Sequence, residues 1–289
     1  LSSLCGIRVE TDPEDGVDAR LMGTIFHNSA ERIYKEIMSH SHSNIITREQ
    51  LSAYTSDKGS RLQHIIDEQF QADAGITDFR GENILIRGVV ERYLLNLLHW
   101  DERHAPITMK AMEEDVVMQL DVDVEDRTIS VLTGGRVDRM DVPTDENGQK
   151  YLRILDYKTG SHENIVNNFN NIFTRDSRHA GYYFQTFLYS LVTRKTKQPS
   201  MPVKPVLFYT AKAGREDYDP TLQIGSEDSR GDKSSIPMGP VENIALYEQE
   251  FVENLNEVLR EIFSPHIPFC KTSYMDACKY CDFKQLCNR

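Results

Sequence analysis

The spacing of apolar positions changes character along this chain. From Ala19 to His40 it is helical: Phe26, Ala30, Ile33 and Ile37 recur every three or four residues and predict one apolar face. His27, Glu31 and Tyr34 form a second stripe beside it, because positions i, i+4 and i+7 share a face. Taken alone, His27 reads as a satisfied histidine on an amphipathic helix. Residues 41–60 predict a loop with a short helix, entered at Thr47 as N-cap with Gln50 three residues later. Helices over Arg61–Ala72 and Glu82–Glu102 follow, a helical cover with no chemistry of its own. After Pro106 the period falls to two. ITMKAMEEDVVMQLDVDVE, TISVLTGGRVDRMDV and YLRILDYKTG predict strands, and Asn147-Gly148 marks a hairpin turn between the last two. Glu113 and Glu114 read as exposed strand charges. A helix over Arg178–Thr196 buries Phe184, Phe187, Leu188 and Leu191, and Val203–Thr210 predicts a further strand. Residues 212–240, rich in Gly, Asp, Ser and Pro, predict a long exposed or mobile loop. A last helix over Val241–Phe263 precedes a cysteine-bearing tail.

These elements imply an α/β fold: a central mixed sheet flanked by helices, with an N-terminal helical insertion. The expected organisation is one domain over 1–289. It comprises a helical part (19–105), a core of sheet and helix (106–211), a loop (212–240) and a closing helix with cysteines (241–289). At 289 residues and 39% hydrophobic content a sizeable core is expected. No run approaches 18 apolar residues and no basic-then-apolar leader is visible, so a cytoplasmic chain without a membrane span is expected. The chain starts at Leu1 rather than Met, which suggests a fragment of a longer protein or a processed chain. The net charge of −12 weighs against a general nucleic-acid binder, yet catalytic carboxylates themselves add negative charge. The five cysteines are an odd number, with Cys278, Cys281 and Cys287 close together, Cys270 just before and Cys5 far away. That pattern points to a reducing compartment and metal ligation rather than disulfides.

The chemistry concentrates between Gly134 and Gly160. On the strand Leu152–Lys158, alternation puts Leu152, Ile154, Asp156 and Lys158 on one face. An apolar face that ends in a carboxylate and an ammonium is costly unless those charges are paired or bind a metal. Hairpin pairing would bring Asp138, which shares a face with Arg136 and Met140, beside Asp156. Two close carboxylates repel, and a hard divalent cation such as Mg²⁺ or Mn²⁺ relieves the repulsion while taking phosphate oxygens. Lys158 then fits as the group that orients or deprotonates a water, or steadies charge on a phosphate. Arg178, Tyr182, Gln185 and Tyr189 form one polar-aromatic stripe on the following helix.

The ordered motifs GTIFH ending at His27, GRVDR at 135–139, DYKTG at 156–160 and QTFLY at 185–189 resemble the RecB-type branch of the PD-(D/E)XK nucleases. The C-terminal Cys-x2-Cys-x5-Cys resembles the iron–sulfur-bearing AddB-like nuclease domains of that branch. The resemblance runs from about residue 6 to the C-terminus. It implies a restriction-endonuclease-like sheet, with His27, Asp138, Asp156 and the Tyr157 carbonyl as metal ligands and Lys158 as the catalytic lysine. It places Gln185 and Tyr189 near both DNA and the reacting atoms; Arg178 and Tyr182 extend that stripe as phosphate or base contacts. It further implies a [4Fe-4S] cluster on Cys278, Cys281 and Cys287, with Cys5, Cys270 or a residue before Leu1 as the fourth ligand, and hence a cluster incomplete or lost in a fragment. The expected function is Mg²⁺- or Mn²⁺-dependent DNA cleavage, exonucleolytic, in repair or recombination, beside a helicase subunit or within a longer chain. The alternatives are an inactive nuclease-like module that binds DNA or serves structurally, and a metal-binding redox protein built on the cysteines.

Overall fold

A computed structural model describes residues 18–56, 60–144, 147–174, 180–225, 238–279, 281 and 283–289. Four helices dominate the first part: α1 (Ala19–Ser41), α2 (Arg48–Thr55), α3 (Ser60–Ala74) and α4 (Glu82–His104). Asp18 caps α1, its carboxylate accepting from the Leu21 N–H at 2.6 Å. The capping box read from Thr47 and Gln50 opens α2, with both of its hydrogen bonds present. The strands are β1 (Ile45–Ile46), β2 (Ile107–Val124), β3 (Arg127–Val142), β4 (Leu152–Lys158), β5 (Ile165–Val166), β6 (Val203–Tyr209), β7 (Gln223–Ile224) and β8 (Gly239–Pro240). Five of them form the main sheet in the order β1-β2-β3-β4-β6. β2, β3 and β4 run antiparallel, whereas β4 and β6 are parallel and joined through α5 (Ala180–Lys197). With α6 (Glu248–Phe263), this is the mixed α/β sheet flanked by six helices that the strand and helix periods predict.

The period of two puts the sheet between two apolar layers. Leu155 and Tyr157 of β4, with Val206 and Phe208 of β6, pack against α1–α4. Leu152 and Ile154, with Leu207 and Tyr209, pack against α5 and α6. In the second layer Phe187 stacks on Phe251 at 5.8 Å between ring centres.

Two expectations change. Part of the loop expected over 212–240 is packed: β7 lies between β5 and β8 in a small sheet, and Leu222 is fully buried. Residues 226–237 of that stretch lie outside the described residues. The helix expected from Val241 starts instead at Glu248, after a short 3₁₀ turn at Ile244–Leu246 capped by Asn243.

Candidate active site

The β2–β3 register places Met112 opposite Arg139 and Glu114 opposite Val137, so Glu113 stands across from Asp138. On the other side of β3, Arg139 faces Leu155, and the next positions outward are Asp138 and Asp156. Three neighbouring strands thus contribute a row of carboxylates: Glu113, Asp138 and Asp156. Asp138 and Asp156 are buried, at 8% and 2% exposure, and Glu113 is half-buried. Like charges directly opposite one another on a sheet destabilise it unless something compensates.

Two cationic or titratable groups meet this row. His27 arrives from α1, whose Ile25, Phe26, Ala30 and Ile33 are fully buried and fix the helix on the sheet. Its Nδ1 lies 3.5 Å from a Glu113 oxygen and 3.6 Å from Asp138 Oδ1. The Tyr157 ring meets the His27 ring edge-on at 5.6 Å and holds its orientation. At the other end, Lys158 Nζ lies 2.5 Å from Asp156 Oδ2. That contact is a close charge-assisted pairing of the ammonium with the buried carboxylate. Asp138 Oδ2 accepts from the Tyr157 N–H at 2.6 Å.

The electrostatics follow. Burial, then the charge of Asp156, push the Asp138 carboxyl up to about 7, against smaller downward pulls from His27 and the Tyr157 N–H. Burial also raises Asp156, while the Lys158 ammonium draws it back. Burial pulls His27 down, but the neighbouring carboxylates, Glu113 first, outweigh it and leave the imidazole above its ordinary value. Among the described residues, the group of three or more His, Cys, Asp or Glu side chains with donor atoms within 4.8 Å of one another is His27, Glu113 and Asp138. Oxygen donors with one imidazole suit a hard or borderline divalent cation.

α5 forms a wall beside the row. Lys158 Nζ donates to Gln185 Oε1 at 3.4 Å, and Gln185 Nε2 donates to the Tyr189 hydroxyl at 3.0 Å. The ammonium also lies over the Tyr182 ring, 4.9 Å from its centre. The approach of α5 needs the two glycines of β3. A Cβ at Gly135 would sit 2.5 Å from the Tyr189 hydroxyl. At Gly134, φ is 149° and a Cβ would lie 2.0 Å from the Val116 carbonyl oxygen, so only glycine fits.

Beneath the row lies a second, fully buried polar cluster. Arg139 donates to both oxygens of Asp101, at 2.6 and 2.9 Å, and to Asp141 at 2.6 Å. Arg153 donates to both oxygens of Asp141, at 2.6 and 3.0 Å. Arg139 also lies over the Tyr34 ring and reaches the Tyr157 hydroxyl at 3.4 Å; Tyr34 in turn bonds to Asp101. Tyr34 therefore faces the core rather than sharing an open stripe with His27. The cluster pins α1 and α4 to β3 and β4; of these, α1, β3 and β4 carry His27, Asp138 and Asp156.

Of the residues expected to act together, His27, Asp138, Asp156, Lys158, Tyr182, Gln185 and Tyr189 are gathered here. Tyr157 turns its side chain into the helical layer and its main chain toward the row. Arg178 and Cys5 lie outside the described residues. Cys278, Cys281 and Cys287 are half-exposed and Cys270 is exposed; among the described residues their thiols belong to no group of donors at ligand spacing. Thiolates suit iron–sulfur chemistry. Glu113 is the residue that reading the sequence as exposed strand charge misses. The signal for it was available in the pairing count back from the turn at Glu125-Asp126.

Comparison with known proteins decides the lineage. The family model of the PD-(D/E)XK nuclease superfamily matches residues 1–288. The chain belongs to this superfamily. In this PD-(D/E)XK member, Asp138, Asp156 and Lys158 sit on the paired strands β3 and β4. The chain is also similar to a protein of Alkaliphilus metalliredigens (strain QYMF) named as a subunit of an ATP-dependent helicase/deoxyribonuclease, at 26% identity over 174 residues. The corresponding subunit from Alkaliphilus oremlandii (strain OhILAs) matches at the same identity and length. Each alignment covers 55% of this chain and 14% of the relative, so the chain corresponds to a small part of those proteins. No helix among the described residues is long and apolar enough to cross a membrane.

Proposed function

We propose that this chain is a divalent-metal-dependent deoxyribonuclease that hydrolyses phosphodiester bonds exonucleolytically. One observation carries the reading: a buried carboxylate pair, Asp138 and Asp156, flanked by His27 on one side and the Lys158 ammonium on the other. His27, Asp138, Asp156 and the Tyr157 carbonyl would hold the cation. Mg²⁺ or Mn²⁺, when bound, polarises a phosphoryl oxygen and makes a water more acidic. The buried Asp156 carboxylate, close to Asp138 and paired with Lys158, fits such a ligand role. Lys158, steadied by Gln185 and the Tyr182 ring, positions the attacking water and balances charge that builds on the phosphate. Gln185 and Tyr189 shape the side of the cleft where the scissile strand passes, and Tyr182, 37% exposed, offers a face on which a base can stack.

The relatives' names, subunits of an ATP-dependent helicase/deoxyribonuclease, support a place beside a helicase subunit or as part of a longer chain, and the setting proposed for it is DNA repair or recombination in the cytoplasm. For the cysteines, a [4Fe-4S] cluster on Cys278, Cys281 and Cys287 with Cys5 or Cys270 would tie the tail down. Iron and acid-labile sulfide at about four each per chain in anaerobically purified protein would establish it, and lower values would mark a cluster incomplete or lost.

The decisive test of the enzyme is degradation of end-labelled DNA with Mg²⁺ or Mn²⁺. Wild type should degrade it and Lys158→Ala should not, with unchanged circular dichroism. Full activity in Lys158→Ala would overturn the mechanism. The net charge of −12 favours a second reading, an inactive DNA-binding or structural module. Binding of DNA ends without turnover at any metal concentration would establish it.

A further inference from the structure

We propose that Glu113 is a further protein donor to the cation held by His27, Asp138 and Asp156, so that the metal site spans β2 as well as β3 and β4. This rests on the nuclease reading above and adds a ligand that the family resemblance does not assign.

Strand register is the first support. Glu113 is placed opposite Asp138 by the pairs on either side of it, so its carboxylate belongs to the same row rather than to solvent. Distances come next. A divalent cation with donors at about 2.1 Å sets neighbouring donors about 3 Å apart and opposed ones about 4 Å apart. The 3.5 and 3.6 Å separations around His27 Nδ1 fall within that span. They lie at or beyond the limit of hydrogen-bond range, so neither carboxylate is held firmly by the imidazole alone. Charge is the third support: three carboxylates crowd together beside the single ammonium of Lys158, an arrangement that a further cation among them relieves.

The backbone gives the test its leverage. Glu113 has φ of 49°, a conformation that glycine adopts without cost and a glutamate does not. If Glu113 serves the metal, Glu113→Gly gives up the ligand while relieving its backbone.

Mn²⁺ binding to the whole chain, read as loss of the free-ion electron paramagnetic resonance signal, separates the cases without relying on activity. Glu113→Gln and Glu113→Gly should each weaken Mn²⁺ affinity by more than about tenfold, with melting temperatures at or above that of the metal-free wild type. Glu114→Gln, one residue along and paired with Lys197 at the surface, should bind like wild type. Wild-type affinity in both Glu113 variants, with binding lost in Asp138→Asn, would overturn the assignment of Glu113 and leave the nuclease site standing. Absence of Mn²⁺ binding in the wild type itself would overturn both.

Discussion

Asp138→Asn should stabilise the metal-free protein at alkaline pH, although it removes a residue placed at the centre of the site. In the folded chain the Asp138 carboxyl is pushed up to about 7; in the unfolded chain it returns to the ordinary value of 3.8. Between these pH values the folded state holds a proton that the unfolded state has lost. Stability therefore falls as pH rises from about 4 to about 7, and the full cost persists above 7. Three decades of pH at about 1.4 kcal/mol each give about 4 kcal/mol. That is a ceiling, because Asp138 and Asp156 titrate together and share the strain. The substituted amide has no proton to lose and can still accept the Tyr157 N–H, so the variant escapes this cost. The assay is thermal unfolding in chelator at pH 5 and pH 8. At pH 8 the variant should melt above wild type by up to about 8 to 16 °C, from about 2–4 °C per kcal/mol for a chain near this size. At pH 5 the advantage should shrink to about a third, because only about one of the three decades has then been crossed. Saturating Mn²⁺ at about a hundred times its dissociation constant should restore about 2.7 kcal/mol to the wild type and nothing to the variant. A variant less stable than wild type at pH 8 in chelator would refute the claim that the metal-free row is electrostatically strained.

The remaining expectations concern the scaffold. Asp101→Ala leaves Arg139 buried with half its partners and should cost about 3–5 kcal/mol, measurable by denaturant unfolding. Phe251→Ala, emptying the aromatic stack beneath α5, should cost a similar amount, about 3–5 kcal/mol, with m unchanged. Gly135→Ala forces Tyr189 away from β3, so DNA cleavage should fall at least about tenfold, the equivalent of about 1.4 kcal/mol in the barrier, with the circular dichroism spectrum retained.

Much of this candidate site is legible in the sequence. The helical spacing around His27, the apolar run into Asp156 and Lys158, the Asn147-Gly148 turn and the stripe of Tyr182, Gln185 and Tyr189 are short-range patterns, and each lies within one element or one turn. What escaped depends on pairing over distance. Glu113 joins the row because a two-residue turn at Glu125-Asp126 fixes the β2–β3 register, which holds back to Ala111 opposite Met140 before shifting near Lys110. A slip of one residue would turn Glu113 to the other face, and local composition does not count residues back from a turn. Arg139 and Arg153 look like solvated strand charges until α4 brings Asp101 over them, 38 positions from Arg139 in the chain. The packing of Leu222 and Ile224 was hidden in a similar way, since a two-residue strand is too short to show a period.

The Arg139–Asp101–Asp141–Arg153 cluster also bears on how this protein can evolve. Its two positive and two negative charges cancel, so the foundation under the carboxylate row adds little net field of its own. Row and architecture are thereby electrostatically decoupled: on the proposed mechanism, losing a carboxylate from the row changes catalysis and leaves the foundation's own balance intact. No member of the foursome can be exchanged alone without stranding a charge in a dry interior. A lineage that abandoned cleavage would thus be expected to shed Asp138, Asp156 or Lys158 first, and to keep these four long after the nuclease had fallen silent.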